Sequence, residues 1–232
     1  AKHIKALYRA GSMLYEIKDP LLGNAVIYVH AIALYDREGL IVKLNTNNAP
    51  AGLQIVAAYG GATGKKFSRD GDIGADPESS FYLKPEYCKD NIFKIKQNSF
   101  QLLYGFAKPL SEEERYEVQH LPANTNYSSP VAEMGKQLYG IFPTTAVLKT
   151  KDATQLQSPA NLLTTDSNGS APIVNASVSV TNQEDYFFSI LTPKKNTIEY
   201  YDVLPRLFQQ AEATRKKIAD RIKVSTPDPF IN

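Results

Sequence analysis

The chain has no tryptophan, a single cysteine and only two methionines among 232 residues. One cysteine, Cys88, can close no internal disulfide and supply no cysteine-rich metal site, so it reads as a buried, inert thiol. The missing tryptophan counts against a surface lectin, because sugar-binding platforms often use an indole ring. Histidine is equally sparse. His3, His30 and His120 lie far apart without H-x-x-x-H spacing, which excludes the usual zinc patterns. His30 falls inside an apolar run and reads as a core or face residue. There is no G-x-S-x-G elbow, and Tyr87-Cys88-Lys89 lacks the setting of a nucleophile, so a hydrolytic triad has no support. No apolar run approaches the roughly 20 residues of a membrane helix, and the first residues show no signal-peptide pattern. No membrane partner is expected. Charge of one sign is also absent. The 26 basic and 24 acidic residues leave a net +2 and are scattered, with no basic block to neutralise a run of phosphates. Nucleic acid is therefore not an expected partner.

What is present is ordinary globular material, 43% hydrophobic and 22% charged, with 14 tyrosines and 10 phenylalanines suited to pleated sheets. The length allows one large all-β domain or two smaller ones. Short apolar or alternating runs broken by Gly, Pro, Asn and Asp predict strands at Met13 to Ile17, Ala25 to Tyr35, Leu40 to Asn45, Gly52 to Tyr59, Ile92 to Lys96 and Phe100 to Phe106. A second set is predicted at Ile141 to Thr150, Ile173 to Thr181, Asp185 to Leu191 and Ile198 to Asp202. Ala25 to Tyr35 has little polar alternation and should be a central strand buried on both faces. Val174, Ala176, Val178 and Val180 alternate with Asn175, Ser177 and Ser179, which predicts a strand with one wet face. Leu121 to Pro130 and Asn161 to Ser170 read as polar loops.

The pattern changes at Asp202. Leu204, Leu207, Phe208, Ala211, Ile218 and Ile222 recur at helical spacing, predicting one long helix from Val203 to about Ile222. Asp202 is placed to cap it, Pro205 is tolerated in its first turn, and Glu212 and Lys216 form an i, i+4 pair. The expected fold is thus mainly β, a two-layer β-sandwich of supersandwich type followed by a long C-terminal linker helix. Residues 1–202 form the sandwich domain, and 203–232 form the linker helix with the start of a downstream domain. The closing Phe230-Ile231-Asn232, with its apolar Phe-Ile pair, motivates that division, since natural ends are more often polar.

Two segments suggest chemistry. Gly60-Gly61-Ala62-Thr63-Gly64-Lys65-Lys66 resembles a phosphate loop but lacks its glycine spacing and its Ser or Thr after the Lys, so a glycine-rich turn is the better reading. Lys65 to Glu78 packs three cations and four carboxylates into fourteen residues. Asp70, Asp72, Asp76 and Glu78 could curl oxygen ligands around calcium. It is not an EF-hand, because Ala75 and Phe81 stand where that loop needs Gly and Glu. The other readings of Lys66, Arg69, Asp70, Asp72, Asp76 and Glu78 are a self-compensating salt-bridged loop and a substrate-facing or interdomain loop. Apart from calcium, no cofactor is expected. A glycosidase pair of carboxylates would need a partner from another segment, and none offers one.

Tyr15-Glu16-Ile17-Lys18-Asp19-Pro20-Leu21-Leu22-Gly23, Phe67 to Phe81, Leu83-Lys84-Pro85-Glu86-Tyr87-Cys88 and Thr226-Pro227-Asp228-Pro229-Phe230-Ile231-Asn232 resemble the bacterial family called domain of unknown function 4450. The resemblance spans essentially the whole chain. It implies the N-terminal part of a large glycoside-hydrolase-like protein, in which a β-supersandwich and linker helix precede an (α/α)6 barrel of six-hairpin type. On that implication the catalytic acid and base lie beyond Asn232, and no catalytic residue carries over to this chain. The expected function is non-catalytic: support for a downstream catalytic domain of the same polypeptide, with the charged loop reaching its carbohydrate cleft. A stand-alone carbohydrate-binding or structural interaction module is the competing expectation. Polysaccharide handling points to the periplasm or cell surface.

Overall fold

The structure is a computed structural model and describes residues 3–61, 85–89, 91–104, 136–155, 160–164, 169–193 and 199–221. Eleven strands among these residues form two antiparallel sheets. In chain order they are β1 (His3–Arg9), β2 (Ser12–Lys18), β3 (Val26–Ala33), β4 (Gly39–Asn47), β5 (Gln54–Tyr59), β6 (Ile92–Lys96), β7 (Ser99–Tyr104), β8 (Lys136–Ile141), β9 (Val147–Asp152), β10 (Pro172–Ser179) and β11 (Tyr186–Leu191). Helices are α1 (Pro85–Cys88), α2 (Asn161–Thr164) and the long α3 (Leu204–Ala219). The larger sheet has eight strands in the order β1-β2-β3-β4-β11-β8-β7-β6, and the smaller has three in the order β5-β10-β9. The expected mainly β sandwich with one long C-terminal helix is what the chain forms.

Strand alternation sends successive side chains to opposite faces. On β11, Tyr186 and Phe188 enter the core between the sheets, while Phe187 and Leu191 enter a second core under α3. The first core is aromatic. Phe93 meets Phe100 at 5.4 Å, Phe100 meets Phe142 at 5.9 Å, and Phe142 meets Phe188 edge-on at 5.8 Å. Val174, Ala176, Val178 and Val180 close it from β10 and the residue after it, in agreement with their alternation. The opposite face of β10 is only partly wet. Ser179 is exposed, but Asn175 is buried and donates to the Leu162 carbonyl at 2.7 Å, so α2 covers it.

The second core holds Ile32, Ile41, Ile141, Phe187 and Leu191 against Leu204, Leu207, Phe208 and Ala211 of α3. The helical stripe therefore faces the sheet from Leu204 to Ala211, whereas Ile218 is exposed and Ile222 lies outside the described residues. Pro205 sits in the first turn, where its missing N–H leaves no bond unmade. Asp202 does not cap the helix. Tyr201–Val203 forms a 3-10 turn that runs straight into α3, and Val203 N donates to Tyr200 O at 3.2 Å. Over its described residues, 199–202, the strand predicted at Ile198 to Asp202 gives way to this turn. Its β-favouring residues serve instead to bring the Tyr201 hydroxyl to the Phe187 amide at 3.2 Å. The same entry is anchored by Arg37, whose two terminal nitrogens donate to both Glu199 oxygens at 2.5 and 2.6 Å.

Three further differences have local causes. The run Ile141 to Thr150 is split, because Pro143 breaks the ladder and a turn closed by Ala146 N to Pro143 O at 2.8 Å carries the chain between sheets. Glu212 pairs with Arg215 and Arg9 in place of the expected Lys216. β3 is interior but not covered throughout: Ile32 is buried under α3 while Tyr28, on the same face, is 38% exposed. β1 was not predicted; it pairs with β2 through the two-residue loop Ala10-Gly11. Gly11 has φ +79°, and a side chain there would strike the Tyr35 hydroxyl.

Gly140 marks the tightest approach in the first core, since a Cβ there would lie 2.1 Å from the Phe100 ring. Gly140→Ala is expected to destabilise by about 1–3 kcal/mol through overpacking, read as a lower urea midpoint with an unchanged denaturant slope. An unchanged midpoint would show that the ring can move aside.

Candidate functional site

The loop residues Lys66, Arg69, Asp70, Asp72, Asp76 and Glu78 lie outside the described residues, as do Leu121 to Pro130 and the closing segment from Ile222. Among the described residues no three His, Cys, Asp or Glu side chains are placed to hold a metal ion. No described helix is long and apolar enough to cross a membrane.

One group of polar and charged side chains gathers on the helix-side face of β1 to β4. Register builds this face in rows: Arg9-Ser12-Ile32-Ile41, then Leu7-Leu14-His30-Lys43, then Lys5-Glu16-Tyr28-Asn45. The first row ends beneath α3. There Arg9 donates to Glu212 at 3.0 Å and to His30 Nε2 at 2.9 Å, and Arg215 grips both Glu212 oxygens at 3.0 and 2.8 Å. Arginine can only donate, so His30 Nε2 accepts and the ring is neutral. The Phe208 ring meets His30 edge-on at 4.8 Å.

Burial pushes the His30 pKa down, and the facing cations Arg9, Lys43 and Arg215 add to that against the opposing pull of Glu212. The Arg215 guanidinium, helped by Arg9, holds Glu212 below the usual carboxylate range. The arrangement fastens α3 to the sheet; Arg9 and Glu212 are each 30% exposed, so screening keeps the stabilisation from that pair modest.

Beyond the cover of α3, the second and third rows line an open groove of about 220 Å³. Leu7 and Leu14 contribute its apolar part, with the partly exposed Tyr28 ring beside them. Polar groups at its rim are already oriented. Glu16 pairs with Lys18 at 2.6 Å, which holds its pKa down, and Lys43 pairs with Asp185 at 2.6 Å. The Asn45 amide donates to Glu184 O at 3.0 Å and Asp185 Oδ1 at 2.9 Å, leaving its own oxygen free to accept. No motif announces this groove, because its members come from four strands and meet only through register. The one local signal is the polar alternation Lys43, Asn45 on β4.

Cys88 is fully buried on the outer face of the small sheet with Ala153, Ala171 and Ile173. Burial pushes its thiol up to about 11. This matches the reading of a structural cysteine, and the thiolate needed for nucleophilic work is scarce at neutral pH.

Two outcomes follow. A lowered His30 pKa means that the unfolded state binds the extra proton first, below the ordinary value of 6.5. Stability is then full above about pH 6.5 and falls as pH drops toward the folded-state value. Urea unfolding between about pH 7.5 and 5.5 should show this slope, and His30→Gln should flatten it. An equal slope in the variant would remove His30 as its source. For Cys88, a thiol-reactive dye at about pH 8 should leave the native chain unlabelled and label it once unfolded in urea. Stoichiometric labelling of the folded chain would contradict the buried, protonated thiol.

Among curated proteins none matches the chain. The pattern of the family described as Domain of unknown function (DUF4450) matches residues 1–212, from β1 through the first half of α3. The chain belongs to that family.

Proposed function

We propose that this chain is the non-catalytic β-sandwich domain of a bacterial glycoside hydrolase, supporting a catalytic barrel of helical hairpins that follows it in the same polypeptide. The observation that carries the reading is how carboxylates among the described residues are engaged. A glycosidase needs one acid with a raised pKa and a second carboxylate roughly 5–10 Å away across a cleft. Here Glu16, Glu184 and Glu212 are all held below the usual range, by Lys18, by the Thr181 and Tyr186 hydroxyls, and by Arg215. Glu199 is locked in its two bonds to Arg37. Glu16, Glu184 and Glu212 therefore lack the raised pKa of a general acid.

A second support is mechanical. The apolar stripe of α3 and the Glu212 network fix the helix direction against the sheet, which suits a rod carrying a following domain. Lys66, Arg69, Asp70, Asp72, Asp76 and Glu78 are the loop proposed to reach the barrel's carbohydrate cleft, and periplasm or cell surface is the proposed compartment. The groove beside Tyr28 favours a second reading, a module that binds carbohydrate in its own right.

The test compares the purified 232-residue chain with the natural polypeptide that carries it. The chain by itself should hydrolyse no glycoside, while the natural polypeptide should turn one over. Asp72→Ala with Asp76→Ala should lower that turnover while the domains stay associated. Glycoside turnover by the chain itself, or a natural polypeptide with no helical-hairpin domain after it, would overturn the proposal.

A further inference from the structure

We infer that the groove on the helix-side face of β1 to β4 binds one ring of a neutral saccharide, with Tyr28 as stacking surface and Glu16, Lys43 and Asn45 as hydrogen-bonding rim. The inference deepens the carbohydrate part of the proposed function and rests on it.

Size comes first. At about 220 Å³ the groove is smaller than the roughly 300–1,000 Å³ of drug-sized sites, so it takes a single ring. Surface chemistry comes second. A pyranose presents apolar C–H faces and a rim of hydroxyls. The groove offers the complement: the Tyr28 ring, 38% exposed, with Leu7 and Leu14 beside it, and polar groups around them.

Charge selects a neutral ligand. Lys43 is compensated by Asp185 and Glu16 by Lys18, each at 2.6 Å, while Lys5 stands opposite Glu16 in the register. His30 accepts from Arg9 and adds no charge. A phosphate or uronate would meet the Glu16 and Asp185 carboxylates beside Lys5 and Lys43, and that repulsion offsets what it gains from either cation. A hydroxyl needs only what the pairs leave over: the second Glu16 oxygen, the remaining Lys43 donors and the Asn45 oxygen. Since Asn45 donates both to Glu184 O and to Asp185, its amide is fixed with the oxygen outward before any ligand arrives. Preorganisation of this kind lowers the cost of binding.

The experiment uses the full 232-residue chain, isotopically labelled, with backbone amide shifts followed by NMR. The probes are maltotetraose, cellotetraose, xylotetraose and mannotetraose, with glucuronate and inorganic phosphate as charged probes. At least one neutral oligosaccharide should shift the amides of Glu16, Tyr28 and Asn45 saturably. Tyr28→Ala should then weaken binding about tenfold, Asn45→Ala several-fold, and Tyr28→Phe about twofold or less. Unchanged shifts elsewhere in each variant certify its fold. Saturable shifts from none of the four, shifts confined to another surface, tighter binding of glucuronate or phosphate, or full affinity in Tyr28→Ala would each overturn the inference. A silent groove leaves the support role standing. Glycoside turnover by the chain itself would sink the support role and leave the titration result intact.

Discussion

The structure depends on β11 being apolar on both faces. Tyr186 and Phe188 point one way, Phe187 and Leu191 the other, and β4 repeats the arrangement with Val42 and Leu44 against Ile41. A strand of that kind must be covered twice, because leaving a large aromatic side chain in water forfeits roughly 1.5–3 kcal/mol. The small sheet covers one side and α3 the other. Among the described residues both layers are narrower than the eight-stranded sheet and are centred where the apolar demand is greatest.

That narrowness explains the groove. α3 crosses the row that contains Ile32 and Ile41 and stops short of the row that contains Tyr28 and Asn45. The polar network of Arg9, His30, Glu212 and Arg215 stands at the boundary, where apolar cover gives way to water. Charges at such a margin keep part of their hydration, so their burial costs little and their mutual bonds set orientation more than stability. The apolar stripe holds the helix down, and the network decides how it is turned.

Much of this was legible in the sequence and the remainder was hidden for physical reasons. The β10 alternation and the helical stripe from Leu204 to Ala211 are local patterns created by a single buried face, and both hold. β1 hides because an edge strand with exposed Ile4, Leu7 and Tyr8 carries no burial pattern to read. The split at Pro143 hides because apolar residues continue on both sides, first for one sheet and then for the other. Tyr201 hides because its role is a hydroxyl reaching across to Phe187. The groove is the extreme case. Lys5, Glu16, Tyr28 and Asn45 are neighbours only once three strand pairings are in register, and no window of the sequence contains them.

One face of β3 condenses these points. Along it Tyr28 is 38% exposed and Ile32 is 1% exposed, with the His30 side chain between them at 18%. Two residues per step along a strand advance about 6.6 Å, so the whole passage from open groove to sealed core takes about 13 Å. Sealed core and open surface are therefore divided along a single strand. Ile32 works through excluded volume and tolerates little change in shape. Tyr28 is partly uncovered and can change without loosening the core. His30 joins the two regions, packing one ring edge on Phe208 while its nitrogen holds Arg9 at the groove's margin.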